Sequence, residues 1–226
     1  MKPVLVFDMN ETLLDLSSLD PTFARLFGLS EGSALRKTWF TLVGALFLTS
    51  TITDEYRSFD KLTDDALQML AMQLGREASA NDRTALREAQ GSISAYADVA
   101  PGLTQLKASG FTLATLTNST TKAAEHLLGL SGIRQRFDAV LSADTIGRYK
   151  PAREAYAYAA RELGVNPERI VLVAAHAWDV AGAMAAGLQA AFISRPGQVM
   201  SPGQPKPQYE AADIAVLANQ LVAQHG

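Results

Sequence analysis

The sequence contains no cysteine among its 226 residues, which excludes disulfides, thiol nucleophiles and thiolate metal sites. It also lacks any run of lysine or arginine, and its formal net charge is -3. A binding surface for nucleic acid or for an anionic membrane is therefore not expected. We predict a small-molecule partner instead.

Long apolar stretches are missing as well. No segment approaches the roughly 18 apolar residues that a membrane-spanning helix needs. The N-terminus, MKPVLVFD, reaches a charged residue before the apolar core of a signal peptide could form, so we expect a cytoplasmic protein. With 48% hydrophobic residues, the chain can bury a substantial core, and its length leaves room for a smaller second domain.

Strand and helix patterns alternate along most of the chain. Pro3 to Phe7 is a short apolar run that ends abruptly at Asp8, as expected for a buried parallel strand with a functional loop at its carboxyl end. Further strands are predicted at 111–116, 140–142 and 170–174, and helices at 101–109, near 121–130 and after Pro151. This alternation predicts an α/β fold with a Rossmann-like, doubly wound parallel sheet.

Residues 14–96 interrupt the alternation. They show no convincing buried strand, but Asp64 to Leu74 has the pattern of a helix, with Thr63 as its cap and Gly75 after it. We therefore predict a helical cap over 14–96, inserted into a core of 1–13 and 97–226. Residues 195–207 are rich in proline and glycine and should form an irregular loop.

Four polar clusters follow the predicted strands or lie in the loops beside them. Their sequences are FDMNETLLD from Phe7, LTNS from Leu116, YKP from Tyr149 and AAHAWDVAGAMAAG from Ala174. In this order they resemble the four motifs of the haloacid dehalogenase superfamily, and the HAWD form resembles its 2-haloacid dehalogenase branch. Each motif alone is common, whereas four in order on a matching pattern of strands and helices are fairly specific.

Asp8 is the predicted nucleophile, because an ionised and desolvated carboxylate can attack an electrophilic carbon. Lys150 is predicted to hold Asp8 ionised, since a nearby cation lowers the pKa of a carboxyl group. The resemblance implies that Asp179 activates the water that cleaves the covalent intermediate. The alternatives are structural: Asp8 as a helix cap, Lys150 as a surface lysine, and Asp179 as the N-cap of a helix over 180–186.

Asn10 departs from the phosphatases of this superfamily, which carry an aspartate at that position. An amide cannot act as an acid at neutral pH, and it brings no anionic charge to a magnesium ion. The fourth motif also offers one acid, Asp179, where phosphatases usually have two. We therefore expect neither a metal nor another cofactor.

Further residues are candidates for holding the substrate carboxylate or the halide. Thr117 and Asn118 offer a hydroxyl and an amide, or else they end a strand and cap the next helix. His176 could be a general base or a structural residue, and related dehalogenases often have asparagine there. They also often have serine where this chain has Ala174, which leaves the substrate preference open.

The predicted cap supplies Arg36, Trp39 and Phe40 as further candidates. Arg36 lies near where the family keeps a halide-binding arginine, although a solvated surface arginine is the alternative. Trp39, Phe40 and Trp178 could line an apolar pocket that excludes water, or they could belong to the core.

The predicted function is hydrolysis of a short 2-haloalkanoate through an ester on Asp8. One alternative is a magnesium-dependent phosphatase of small metabolites, and another is a non-catalytic binding protein on this fold. The resemblance also implies a homodimer, for which the apolar stretch Phe40 to Phe47 could supply the interface, with a buried cap helix as the alternative.

Overall fold

The computed structural model describes residues 2–225. The chain forms two compact units, one of Met1–Leu14 with Ala95–Gly226 and the other of Asp15–Ser94. We refer to them as the sheet unit and the helical unit. Across residues 2–225, no helix is long and apolar enough to cross a membrane.

The sheet unit contains six parallel strands in the order β3-β2-β1-β4-β5-β6. The strands are β1 (Val4–Phe7), β2 (Thr112–Thr117), β3 (Ala139–Ser142), β4 (Ile170–Ala174), β5 (Gln189–Ile193) and β6 (Tyr209–Ala211). The central strand β1 is buried along its whole length, which explains its uninterrupted apolar sequence. Phe7 pairs with Thr115 of β2 and Val173 of β4, so three strands end side by side next to Asp8. The predicted doubly wound parallel sheet is confirmed.

The helices of the sheet unit are α5 (Val99–Ala108), α6 (Thr121–Leu130), α7 (Arg153–Leu163), α8 (Ala177–Ala185) and α9 (Ile214–His225). One hydrophobic cluster joins Val6 and Leu172 of the sheet to Tyr156 of α7 and Val180 of α8. Gly182 of α8 permits this close packing, because a Cβ atom there would lie 2.5 Å from the Cβ of Pro151. The loops that carry Lys150 and Asp179 are thereby held by tightly packed elements.

The helical unit contains α1 (Asp20–Phe27), α2 (Gly32–Ile52), α3 (Phe59–Gln73) and α4 (Ala80–Gln90). Helix α4 begins with a capping box, in which the side chains of Ser79 and Asp82 each accept a hydrogen bond from the other's backbone N–H. The predicted helix in this region begins earlier than expected. Ser58 is at the N-cap of α3, and Thr63 lies inside the helix and donates to the Asp60 carbonyl.

Two other features differ from the sequence predictions. Strands β5 and β6 were not predicted, and α8 begins at Ala177 with His176 at its N-cap. Asp179 therefore lies in the first turn of α8, and its assignment as an N-cap is wrong. The predicted irregular loop is confirmed, since residues 194–208 contain neither helix nor strand.

Candidate active site

Asp8 lies at the carboxyl edge of the sheet, directly after β1. Its backbone N–H donates to the Val173 carbonyl of β4 at 3.0 Å, which extends the strand pairing by one residue. Its side chain is 7% exposed. Because parallel strands present their carboxyl ends at the same edge, the loops after β2 and β4 lie beside this carboxylate.

Lys150 lies between two carboxylates. Its Nζ atom is 2.9 Å from Asp8 Oδ1 and 2.6 Å from Asp179 Oδ2. All three side chains are buried, so the alternative of a surface lysine is wrong, and Asp8 caps no helix. A buried lysine in this position compensates negative charge that water cannot reach.

Asn118 fixes the backbone that carries this lysine. Its Oδ1 atom accepts from the Lys150 N–H at 2.9 Å, and its Nδ2 atom donates to the Lys150 carbonyl at 3.2 Å. Neither Asn118 nor Thr117 caps α6, because Thr120 is the N-cap. The Thr117 hydroxyl accepts from the Ser119 N–H at 3.1 Å. Asn118 therefore orders the lysine loop through its side chain.

Thr12 and Tyr156 contribute to the site and were not predicted. The Thr12 hydroxyl donates to Asp8 Oδ2 at 2.7 Å and accepts from the Ala175 N–H at 2.9 Å. The Tyr156 hydroxyl donates to Asp179 Oδ1 at 2.7 Å. Both residues are fully buried, and both lie close to a motif in the sequence. A buried hydroxyl needs a hydrogen-bond partner, but the sequence does not reveal that these two hydroxyls are buried.

Arg195, after β5, contacts the backbone of the loop that follows Asp8, and it was also not predicted. Its guanidinium donates to the Thr12 carbonyl at 2.9 and 3.1 Å, and it forms a bidentate pair with Asp98 at 2.7 and 2.9 Å. It also lies 3.9 Å from the centre of the Tyr96 ring. These contacts fix the backbone of Thr12, whose hydroxyl contacts Asp8.

His176 lies between two acidic side chains. Its Nδ1 atom is 3.4 Å from Asp8 Oδ2, and its Nε2 atom is 3.1 Å from Glu11 Oε2. Burial lowers the pKa of the imidazole, but the two carboxylates outweigh burial and raise it to about 9. His176 is therefore protonated at neutral pH, which is unsuitable for a general base. Its ring stacks on Trp178 at 5.2 Å between centres.

The charges shift the pKa values of the three central groups in different directions. Burial raises the pKa of Asp8, but the charge of Lys150 and contact with His176 bring it well below its ordinary value. Burial and the nearby Asp8 charge raise the pKa of Asp179, although Lys150 acts in the opposite direction. Burial lowers the pKa of Lys150, and the two carboxylates raise it above its ordinary value. Asp8 is therefore the more readily ionised carboxyl group of the pair.

Asn10 contacts the loop after β2, where its Nδ2 atom donates to the Ser119 hydroxyl at 3.2 Å. Within residues 2–225, no three histidine or acidic side chains are grouped so that they could hold a metal ion. Asp8 Oδ1 and Asp179 Oδ2 contact the lysine ammonium instead.

Arg36 and Trp39 belong to α2 of the helical unit. Arg36 is buried, and its Nε atom lies 2.6 Å from Asp20 Oδ1, so the alternative of a solvated arginine is wrong. Trp39 is also buried, donates to the Thr63 carbonyl at 3.1 Å and packs on Phe23 at 5.4 Å between ring centres. These contacts place Trp39 in the core of the helical unit.

Comparison with known proteins agrees with this arrangement. Residues 3–187 match the family model of haloacid dehalogenase-like hydrolases. The chain is 33% identical to (S)-2-haloacid dehalogenase 4A of Burkholderia cepacia, over 96% of this chain and 90% of that protein. It is 28% identical to the (S)-2-haloacid dehalogenase of Pseudomonas sp. strain YL, over 94% and 91%.

Solved structures include a similar protein. A dehalogenase crystallised as an intermediate complex is 29% identical to this chain and superposes on it with a TM-score of 0.90. The aligned region covers 98% of this chain and 97% of that protein. The similarity extends over both units of the chain. On its fold, its motifs and these relatives, the chain belongs to the haloacid dehalogenase-like hydrolases.

Proposed function

We propose that this protein hydrolyses short 2-haloalkanoic acids to 2-hydroxy acids through an ester on Asp8. The observation that carries the proposal is the buried Lys150 ammonium between Asp8 and Asp179, with 2.9 and 2.6 Å contacts. In this arrangement Asp8 is the ionised carboxylate that attacks the substrate, and Asp179 is the second carboxylate, which acts in a later step. The names of the relatives, (S)-2-haloacid dehalogenases, support the substrate class.

In the first step, an oxygen atom of Asp8 attacks the α-carbon of the substrate. An oxygen–carbon bond forms, the carbon–halogen bond breaks, and the halide leaves with the bonding electrons. The lowered pKa of Asp8 keeps the nucleophile ionised at neutral pH. No acid is required, because a halide leaves as an anion that cationic groups can stabilise.

In the second step, Asp179 accepts a proton from a water molecule that attacks the carbonyl carbon of the Asp8 ester. The bond between the carbonyl carbon and the ester oxygen then breaks, and the 2-hydroxy acid leaves with one of the two water protons. The other proton is released to solvent, so Asp179 is again a carboxylate and Asp8 regains its charge with one oxygen atom from water. A raised pKa makes Asp179 a better base than an ordinary carboxylate. Tyr156 and Lys150 hold its two oxygen atoms in place.

Substrate and halide binding is proposed for a second group of residues. Its members are Asn10, Arg36, Thr117, Asn118, His176 and Trp178. Arg36 and His176 bring positive charge for the substrate carboxylate or the halide, and Trp178 brings an apolar ring. We further propose a cytoplasmic homodimer with the apolar stretch 40–47 of α2 at its interface.

Single-turnover kinetics test the two carboxylate roles. Asp8→Asn should abolish halide release, whereas Asp179→Asn should release about one halide per site and then stall. Mass spectrometry should then find the adduct on Asp8. Asp60→Asn, at an exposed position of α3, is the control and should turn over normally.

The result that contradicts these roles is an Asp179→Asn variant that folds and binds substrate but gives neither burst nor adduct. Asp179 would then be needed before or during displacement. The substrate class is tested by halide release from fluoro-, chloro- and bromoacetate and from both enantiomers of 2-chloropropionate. No release from any of them would refute the proposed activity.

A further inference from the structure

Glu11 has an unusual backbone conformation beside the proposed nucleophile. Its φ angle is 56°, in the left-handed region that costs a non-glycine residue roughly 1 kcal/mol or more. Its N–H donates to the Leu14 carbonyl at 2.9 Å, so the conformation belongs to a closed turn after β1. The mechanism proposed above gives Glu11 no role.

The side chain of Glu11 is held by donors from two other loops. Its Oε2 atom lies 3.1 Å from His176 Nε2, in the loop after β4, and accepts from Gln198 Nε2 at 2.9 Å, in the loop after β5. The side chain is 15% exposed. Together these two contacts hold the Glu11 carboxylate beside Nε2 of His176, whereas Nδ1 of the same ring faces Asp8.

The two nitrogen atoms of His176 therefore face two different carboxylates. A neutral imidazole has one N–H and can donate to only one of them, whereas an imidazolium can donate to both. The ring nitrogens lie beside the carboxylates of Asp8 and Glu11 in the first loop. Lys150, which also contacts Asp179 of α8, lies against the other oxygen atom of Asp8. Lys150 contacts Asp8 and Asp179, so of the two carboxylates beside His176 it is Glu11 that Lys150 does not contact.

We propose that Glu11 is a positioning residue that, through His176, places a second cation beside the Asp8 carboxylate. Lys150 then faces Oδ1 of Asp8, and the imidazolium faces Oδ2. Two cations favour the ionised nucleophile before displacement. They also favour the negative charge that returns to Asp8 when its ester is hydrolysed. This inference rests on the proposed role of Asp8 in the reaction.

The high pKa of His176, about 9, agrees with this geometry. Deprotonation of the imidazolium should therefore appear as a loss of activity on the basic side of the pH profile. Replacing Glu11 by a neutral residue makes the imidazolium easier to deprotonate. The loss of activity should then occur at a lower pH.

The first measurement is an NMR titration of the histidine rings in the unmodified enzyme without substrate. The chain has three histidines, and a His176→Asn variant identifies the signal of His176. We expect a midpoint above 8. A midpoint at or below about 6.5, the ordinary value, would overturn the proposal without any variant of Glu11.

The second measurement compares Glu11→Gln with Glu154→Gln, a matched change at an exposed position of α7. Removing an opposite charge at this distance should lower the His176 midpoint by about one to three pH units. The basic limb of kcat should move by the same amount. Glu154→Gln should change neither quantity, and an unchanged midpoint in Glu11→Gln would refute the positioning role.

A double-mutant cycle then separates the charge effect from a purely structural one. In a His176→Asn background, Glu11→Gln should cause no further shift of the pH profile. An equal shift in both backgrounds would show that Glu11 acts independently of His176. Because the titration needs no substrate, failure of this inference remains distinguishable from failure of the proposed dehalogenase activity.

Discussion

Replacing Lys150 with methionine removes the buried charge while keeping much of the side-chain volume. Asp8 and Asp179 would then be buried without the ammonium that lies 2.9 and 2.6 Å from them. Breaking a buried ion pair by removing one partner costs about 3–5 kcal/mol. His176 remains 3.4 Å from Asp8, so we expect the lower end of this range, about 3 kcal/mol.

The same change should slow halide release. Asp8 loses the main charge that keeps its pKa low, and one of the two buried carboxyl groups takes up a proton. If the lost interaction acts fully on the ionised nucleophile, 3 kcal/mol corresponds to about a hundredfold lower rate, at tenfold per 1.36 kcal/mol. The rate is measured as halide released in a single turnover.

The pH dependence of stability gives a sharper test. In Lys150→Met, burial without the ammonium raises the pKa of a carboxyl group above its unfolded value of about 3.9. The neutral form then favours folding at low pH, and this contribution is lost as the pH rises through the raised pKa. The destabilisation relative to the unmodified protein should therefore be smaller at pH 5 than at pH 8.

Urea unfolding at both pH values measures these free energies of unfolding. Lys122→Met, an exposed position on α6, is the control and should change stability by less than about 0.5 kcal/mol. The reasoning is refuted if Lys150→Met unfolds within 1 kcal/mol of the unmodified protein at pH 8, where about 3 kcal/mol is expected. An equal destabilisation at both pH values would refute the raised carboxyl pKa that we expect in Lys150→Met.

Three further predictions concern the base, the packing and the absence of a metal requirement. Tyr156→Phe removes the hydroxyl that donates to Asp179 at 2.7 Å, so hydrolysis of the ester should slow by about tenfold to a hundredfold, with the halide burst preserved. Loss of the burst would contradict this. Gly182→Ala places a methyl group 2.5 Å from the Cβ of Pro151, and urea unfolding should show a loss of about 1–3 kcal/mol; unchanged stability would contradict the packing argument. Activity should persist in excess chelator, because Asn10 replaces a ligand that magnesium would need; loss on chelation that magnesium restores would refute this.

Much of the sheet could be predicted because the buried strands have a clear local pattern. Strands β1 and β4 are continuous apolar runs, and polar loops follow them. The pattern is weaker at β5, which begins with Gln189 and is rich in alanine, and at β6, whose three residues include Glu210. Strand β6 is at the edge of the sheet and β5 lies beside it, and both owe their structure to pairing with neighbouring strands.

The helical unit shows a similar limit. The sequence predicts a helix over 64–74 with Thr63 as its cap, whereas α3 covers 59–73 and begins after Ser58. Both residues are good capping types, so their identity could not distinguish them. Arg36 was likewise compatible with solvent exposure, whereas in the folded chain it is buried and forms an ion pair with Asp20.

The local order of residues was sufficient to indicate the fold, the family and which loops carry the chemistry. A strand pattern extends over a few neighbouring residues, and the four motifs can be read one after another along the chain. The contacts of Lys150 are different, because they join residues 142 and 29 positions apart. Such contacts depend on strand order and helix packing, which no local pattern specifies.

The same reason explains why Thr12, Tyr156 and Glu11 became evident only in the folded chain. Their side chains are ordinary polar groups until packing removes water and leaves each beside a charged partner. Burial then determines the protonation of His176 and of both aspartates, since pKa values depend on surroundings rather than on residue type. The sequence therefore identifies the reacting groups, and their three-dimensional environment sets their charges.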